Sequence, residues 1–176
     1  MYYHGLITQP DCQGCPLNDG KSVMVYPDGK VPSRLILVGE GPGFEEEGNN
    51  PKRERKFFIG PTGRAQWYLT ENGDPGFSRM DCWVTNTTLC RKRPIKPPGG
   101  GPTLSSDLVH KLAMDHCRKR LIGELLAVSE DHPDTVIVAV GKHSMKALTG
   151  IKGSIRDYRG SVNPIDLQEL WKECHR

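Results

Sequence analysis

A chain of 176 residues is long enough to form one domain with a buried core. No apolar run approaches the length of a membrane span, and the N-terminus lacks a signal-peptide pattern. We therefore expect a single domain over residues 1–176 that is soluble, cytoplasmic and without a membrane partner. The net charge of +3 is too small to indicate a nucleic-acid partner by itself.

The first 30 residues contain a pair of cysteines but no core-forming pattern. Cys12 and Cys15 are separated by two residues, a spacing that lets both sulfurs face one ion. A segment rich in glycine, proline and aspartate follows them. Six cysteines in a cytoplasmic chain favour a metal or redox role over a disulfide framework. We therefore expect this loop to be held in place by a bound metal rather than by apolar packing.

The first predicted strand ends in a turn made mostly of glycine. Residues 35–38 form a continuous apolar run, typical of a strand that is buried on both faces of a parallel sheet. The turn Gly39-Glu40-Gly41-Pro42-Gly43 follows, and its bare backbone can approach a ligand closely. Ligands of open α/β sheets bind at the carboxyl ends of the strands. Glu40 is therefore a candidate catalytic acid, and the alternative is a surface glutamate on an ordinary turn.

Strands and helices alternate along the rest of the chain. The patterns predict strands over residues 82–86 and 135–141 and helices over residues 64–72, 104–128 and 142–149, with a further helix from Asp166. Such alternation is typical of an α/β fold. We expect three α/β/α layers around a central, mainly parallel sheet of about four strands. The alternative is an unrelated small α/β fold with an N-terminal zinc knuckle.

Two short basic clusters interrupt these elements. Each alone is typical of a solvated face. Because each adjoins a glycine-rich or strand-end loop, the two together favour contact with a phosphate backbone. The candidate phosphate-binding residues are Lys52, Arg53, Arg55, Arg91, Lys92 and Arg93.

Four of the six cysteines can share one site. Cys90 follows the second strand and Cys117 lies in the longest predicted helix. Together with the N-terminal pair they supply four thiolates, enough for a zinc ion or a four-iron cluster, and the spacing does not decide between the two. Cys82 lies in a predicted strand and is expected in the core. Cys174 has no assigned role.

Taken in order, these pieces resemble the iron–sulfur-containing, family 4 type of uracil-DNA glycosylases. The matching motifs extend from residue 12 to about residue 160. They are Cys12-x-x-Cys15, Gly39-Glu-Gly-Pro-Gly43 with Glu46, Phe57-Phe-Ile-Gly-Pro-Thr-Gly63, Val84-Thr-Asn86, Leu89-Cys90-Arg91, Cys117 and Ala139-Val-Gly141. The resemblance implies a prokaryotic or phage-encoded protein that removes uracil from single- or double-stranded DNA.

The resemblance also implies a role for each matching residue. The four cysteines would bind a structural [4Fe–4S] cluster that pins the N-terminal loop, with zinc as the alternative. Glu40 would place or activate the attacking water, Phe58 would stack on the flipped base, and Asn86 would hydrogen-bond the base edge. The implied catalytic pair is Glu40 and Asn86, and the implied base-contacting set is Gly39, Gly41, Glu46, Phe58 and Asn86.

These residue types suit the chemistry independently. A base inside a duplex is inaccessible, so the nucleotide must be extruded into a pocket. A phenyl ring stacks on any base, and an amide offers one donor and one acceptor to its Watson–Crick edge. Cleavage of the N-glycosidic bond builds positive charge on the sugar, which a carboxylate stabilises, and negative charge on the base, which backbone N–H groups can stabilise.

Three departures from the family pattern concern the end of the chain and two insertions. Members of the family carry a late His-Pro-Ser-type segment on a final strand, and no such segment follows Arg159-Gly160. The final strand is therefore missing, degenerate or supplied by another chain or domain. Residues 49–56 and 94–103 are insertions that leave room for a different substrate, such as a bulky modified pyrimidine. The alternatives are a weak or inactive DNA-binding relative and a zinc-stabilised binding module.

Overall fold

The fold is built around a four-stranded mixed sheet. A computed structural model describes residues 9–48, 55–74, 76–97, 99–129 and 134–176. The strands are β1 (Asp28–Gly29), β2 (Leu35–Gly39), β3 (Trp83–Asn86) and β4 (Val136–Ala139), in the spatial order β1-β3-β2-β4. Strand β2 runs parallel to β3 and β4, whereas β1 pairs antiparallel to β3. The predicted α/β class and mainly parallel four-stranded sheet are confirmed.

Helices cover both faces of this sheet. They are α1 (Pro61–Glu71), α2 (Ser106–Ser129), α3 (Lys142–Thr149) and α4 (Leu167–Glu173), with short 3-10 turns at Arg79–Asp81 and Ile155–Tyr158. Because successive strand residues point to opposite faces, β2 contributes to two separate cores. Ile36 and Val38 pack in the core formed with α2, α3 and α4, whereas Leu37 packs with Phe57 in the core below α1.

The helix boundaries follow from local signals. Helix α1 begins at Pro61, a residue whose fixed φ suits the first helical position, so the helix starts earlier than the predicted residue 64. Helix α2 begins at Ser106 rather than at residue 104 because Leu104 forms a two-residue antiparallel bridge with Ile95. That bridge closes the base of the inserted loop 94–103, which the sequence predicts to have no regular structure. Helix α3 ends at Gly150, whose left-handed conformation favours glycine.

The fourth strand differs from expectation in its burial. The apolar run over residues 135–141 predicts a strand buried on both faces, but Val136 is 59% exposed and Val138 is 38% exposed. Within the described residues β4 pairs with β2 alone and so lies at the edge of the sheet. Its inward residues Ile137 and Ala139 pack against the core of α2, while the opposite face is open to solvent. An apolar run therefore predicted the strand but not its position.

Strand β1 was not predicted because two residues are too few for a hydrophobic pattern. It extends the sheet beyond β3, where Asp28 pairs with Val84 and Gly29 pairs with Trp83.

In the described part of the chain, no helix is both long and apolar enough to cross a lipid bilayer.

Candidate active site and cysteine cluster

The glycine turn and the end of β3 lie side by side at the carboxyl edge of the sheet. Gly39 is the register partner of Asn86. The pairing continues past the strands, because Thr87 N–H donates to Gly39 C=O at 2.9 Å and Thr88 N–H donates to Glu40 C=O at 3.2 Å. The backbones of two predicted site residues, Glu40 and Asn86, therefore lie close together at the edge where ligands of open α/β sheets bind.

Two of the predicted base-contacting residues, Phe58 and Asn86, pack against the α-carbon of a third, Gly39. A β-carbon at this position would lie 2.1 Å from Asn86 Oδ1 and 2.8 Å from Phe58 Cζ. Glycine is required because the amide and the phenyl ring occupy the space of a side chain. The structure thus brings Gly39, Phe58 and Asn86 together into one uncharged wall, and Asn86 is only 2% exposed.

The backbone of Phe58 is held in an unusual conformation. Its φ of 55° lies in the left-handed region, which for a bulky residue costs on the order of 1–3 kcal/mol. Two neighbours from α1 hold it there. Trp67 Nε1 donates to Phe58 C=O at 3.0 Å, and Gly63 packs so closely that its β-carbon would lie 2.1 Å from the same oxygen. Such strain persists where the surrounding structure fixes it, which points to a constrained position for the ring.

Glu46 braces the glycine turn rather than projecting into solvent. Its side chain is buried, and Oε2 accepts a hydrogen bond from Gly43 N–H at 2.8 Å. Its other carboxylate oxygen lies 3.8 Å from the position of a β-carbon on Gly60. Glu46 therefore joins the glycine turn after β2 to the glycine turn before α1. Gly41, in the same glycine turn, has its α-carbon packed near Thr88 and His110.

Glu40 points away from the uncharged wall and towards α3. Its Oε1 accepts from His143 N–H at 3.1 Å, and its Oε2 accepts from Lys92 Nζ at 3.3 Å. Gly141, with a φ of 113°, makes room for the carboxylate. Burial alone would raise the pKa of Glu40, but the His143 amide and the charges of His143 and Lys92 outweigh it and hold the pKa below its usual range. Glu40 is therefore ionised at neutral pH.

The four cysteines of the predicted cluster line one cavity of about 120 Å³. Cys12 and Cys15 come from the N-terminal loop, Cys90 from the segment after β3, and Cys117 from α2. Burial, followed by the charges of the other thiols, raises the pKa of Cys90 to about 12, and burial also raises the pKa of Cys12 and Cys15. The raised pKa values mean that these three groups are neutral thiols at neutral pH, so the binding of a metal ion here would be coupled to the loss of their protons.

Comparison with known proteins agrees with this geometry. The family model described as "Uracil DNA glycosylase superfamily" matches residues 26–172. The chain belongs to the uracil DNA glycosylase superfamily.

Two curated members of the superfamily are similar over most of this chain. A type-4 uracil-DNA glycosylase of Thermotoga maritima is 32% identical over 157 residues, which cover 88% of this chain and 69% of that protein. A type-4 uracil-DNA glycosylase of Pyrobaculum aerophilum is 27% identical over 154 residues, which cover 86% of this chain and 66% of that protein. The chain thus spans about two thirds of the length of these relatives.

In this superfamily member, the second basic cluster is paired with carboxylates. Arg91 Nε donates to Glu47 at 2.6 Å, Lys92 contacts Glu40, and Arg93 contacts both carboxylate oxygens of Asp19 at 2.6–2.7 Å. A phosphate would have to compete with these partners. Of the first cluster, Arg55 is exposed, and Lys52 and Arg53 lie outside the described residues.

Two histidines that were not predicted as site residues from the sequence lie next to Glu40. The rings of His110 and His143 meet edge to face with centroids 4.7 Å apart. His143 lies two residues after Gly141, which follows β4, and His110 lies two helical turns before Cys117 on α2. The position of His143 after a strand-end glycine is the one sequence signal that could have found this pair.

A buried arginine also positions the end of β3. Arg120 of α2 donates to Asn86 C=O at 2.7 Å and to Thr87 C=O at 3.3 Å. Glu124 pairs with Arg120 at 2.7 Å and accepts from Trp83 Nε1 at 2.7 Å. All of these side chains are buried, so the network fixes the position of the Asn86 backbone.

The two remaining cysteines lie away from the cysteine cavity. Cys82 lies in the core as expected, and Cys174 packs against the core of α2.

Proposed function

We propose that this chain is a DNA glycosylase that hydrolyses the N-glycosidic bond of a flipped uracil or a related modified pyrimidine. One observation carries the proposal: the amide of Asn86 and the ring of Phe58 meet over Gly39, and the next residue is the ionised carboxylate of Glu40. This combination provides a stacking surface, a base-reading amide and a charge beside the scissile bond.

Recognition of the base falls to the uncharged wall. The phenyl ring of Phe58 offers a stacking face, and its backbone geometry keeps that face fixed before the substrate arrives. Asn86 supplies one donor and one acceptor to the base edge, and Arg120 fixes its backbone. Preorganisation of both groups reduces the ordering that binding of an extruded nucleotide requires.

Glu40 supplies the negative charge. As the glycosidic bond breaks, the sugar becomes positive and a nearby carboxylate stabilises it. A carboxylate has about four lone-pair positions, and two of those of Glu40 accept hydrogen bonds from His143 N–H and Lys92. The remaining positions can orient a water molecule for attack on the sugar. Because its pKa is lowered, Glu40 acts by charge and orientation more than as a strong base.

The four cysteines would hold a [4Fe–4S] cluster with a structural role. Within the described residues, no three of their sulfurs lie within 4.8 Å of one another. Four thiolates around one zinc ion at about 2.3 Å lie roughly 3.8 Å apart, so the wider spacing favours a cluster over a single ion. Bound there, the group would tie the N-terminal loop to α2 and to the segment after β3. Protein purified without air should be brown and contain about four irons per chain, whereas a colourless, zinc-loaded protein would contradict the cluster.

The second candidate function is DNA binding without efficient excision. The contact between Lys92 and Glu40 favours it, because an ammonium on the carboxylate offsets the negative charge that would stabilise the sugar and occupies a position that could orient water. Arg91, Lys92 and Arg93 would then contact phosphates only after leaving their carboxylate partners.

Excision is tested with oligonucleotides that carry uracil or a modified pyrimidine, single- and double-stranded, followed by alkali. The wild type should cause strand breaks on at least one of them, and Asn86→Ala should lower the rate by about 10²-fold, as for loss of one preorganised hydrogen-bonding group. Asn163→Ala, in the exposed segment before α4, is the matched control and should keep full activity. Absence of breaks on every substrate, with a gel shift on the same DNA, would favour the binding protein.

A further inference from the structure

A compact group of metal-ligating side chains lies at the glycine turn, separate from the cysteine cavity. Glu40, His110 and His143 each offer a donor atom, and these atoms all lie within 4.8 Å of one another. His110 is fully buried, His143 is 6% exposed and Glu40 is partly buried. Within the described residues this is the one such group of three histidine, cysteine or acidic side chains.

The ring of His110 has an unused nitrogen. Its Nδ1 is buried and has no hydrogen-bond partner among the described residues, while Nε2 lies 3.5 Å from Thr87 Oγ1. Buried polar atoms without partners are uncommon, and each calls for an explanation such as an ion at the site. Burial, then the charges of His143 and Lys92, lowers the pKa of His110 to about 4, so the ring is neutral and able to ligate at neutral pH.

The second histidine has an outer partner typical of a metal ligand. His143 Nε2 lies 3.3 Å from Asp107 Oδ1 on α2. Histidines that bind metals commonly donate their other ring nitrogen to a carboxylate or another acceptor, which fixes the tautomer and the ring orientation. With Nε2 directed to Asp107, the Nδ1 of His143 remains for an ion. Both rings therefore have one nitrogen engaged outside the cluster and one left over.

The ammonium group of Lys92 contacts the carboxylate of this group. Lys92 Nζ lies 3.3 Å from Glu40 Oε2 and 4.0 Å from Asp107 Oδ1. Its side chain is 39% exposed, so the long flexible stem can move the ammonium into solvent. The cluster thus attracts positive charge, and its present occupant can leave.

We propose that Glu40, His110 and His143 form a binding site for one divalent transition-metal ion of the zinc class, which displaces Lys92 from Glu40. Two imidazoles and one carboxylate are a donor set that suits zinc and neighbouring first-row metals, with further positions open to water. Ligands at about 2.0–2.2 Å from the ion lie roughly 3.4 Å apart, and the three donors, which all lie within 4.8 Å of one another, must approach that spacing. Rotation of Glu40 after the departure of Lys92 provides that movement.

The test measures zinc binding directly. Protein whose cysteine site is already filled is freed of excess metal and titrated with Zn²⁺ against a chromophoric chelator. One additional zinc per chain is expected. His143→Gln should weaken it at least tenfold, and Asp107→Asn should weaken it about 10-fold to 100-fold, as loss of an outer partner does. His175→Gln, an exposed histidine of the C-terminal segment, is the matched control and should bind like the wild type.

A second variant acts in the opposite direction. Lys92→Met removes the competing ammonium and should tighten zinc binding severalfold, which a merely adventitious surface site would not show. Absence of additional zinc in both the wild type and Lys92→Met would overturn the proposal, as would unchanged affinity in His143→Gln. Circular dichroism shows that each variant is folded. Since binding is measured without DNA, its outcome is independent of the excision assay.

Discussion

Gly39 and Glu40 are neighbours in one turn, but their surroundings differ. Around Gly39 the amide of Asn86 and the ring of Phe58 leave no space for even a methyl group. Around Glu40 the neighbours are charged or titratable, and one of them, Lys92, is flexible and partly exposed. The surroundings of Gly39, called the packed side below, are fixed by close packing and change only on substitution. The surroundings of Glu40, called the charged side, depend on electrostatic interactions, which change with pH, with a bound metal ion or with substitution of a single residue.

The largest expected effect concerns the support of the packed side. Arg120→Met should destabilise the fold by about 3–5 kcal/mol, because it leaves the buried carboxylate of Glu124 without its cationic partner. Urea denaturation monitored by circular dichroism measures this. The double variant Arg120→Met/Glu124→Leu should recover much of the loss. A double variant as unstable as the single one would mean that the hydrogen bonds to the carbonyls of Asn86 and Thr87 and to the indole of Trp83, rather than the ion pair, carry the stabilisation.

The next effect is expected from a substitution that disturbs the packing around Gly39. Gly39→Ala should lower excision by about 10²-fold or more while the protein remains folded, because the new methyl group displaces the amide of Asn86 and the ring of Phe58. Single-turnover cleavage of the preferred substrate measures it. Gly99→Ala is the control, since a β-carbon there has no heavy atom within 4 Å. Equal loss in both variants would remove the special role of the packed wall.

A smaller effect is expected from the titration of His110. Its folded pKa of about 4 lies below the ordinary value of 6.5, so the unfolded chain binds more protons between these values. The contribution of the neutral ring is present in full above pH 6.5 and is lost as the pH falls towards 4. The charged and titratable groups that face it are His143, Lys92, Glu40 and Asp107.

Urea denaturation at pH 7 and at pH 4.5, with a zinc chelator present, tests this dependence. The wild type should lose more stability between the two values than His110→Gln does. His175→Gln, whose ring is exposed, should follow the wild type. Equal pH dependence of the wild type and His110→Gln would contradict the assigned shift.

Prediction from the sequence was most successful for features that are encoded within one short segment of the chain. The apolar run of β2, the glycine turn after it and the polar end of β3 are short segments, and each indicates its own structure. The sheet then brings Glu40 and Asn86 together because parallel strands end at the same edge. The cysteines also followed from spacing and order, and the structure places all four around one cavity.

The parts that escaped prediction depend on distant neighbours. An apolar run does not reveal how many strands flank it, so the exposure of Val136 at the sheet edge could not be read from β4. Glu40 and His143 are separated by 103 positions, and His110 reaches them from a third element. Arg120 resembles an ordinary surface residue of a helix, and only the position of Glu124 one turn later hints at a pair.

The smallest expected effect concerns only the charged side, where it tests the contribution of Lys92 to the pKa of Glu40. Lys92→Met removes the ammonium from Glu40 but leaves the His143 amide in place, so the pKa of Glu40 should rise towards its usual range without a change of fold. Excision should change severalfold, and the acidic limb of its pH profile should move to higher pH. Lys152→Met, remote from the turn in sequence and exposed, is the control. An unmoved acidic limb would show that the backbone N–H of His143, rather than Lys92, sets the charge of Glu40, and the adjustable side of the turn would then be as fixed as the packed side.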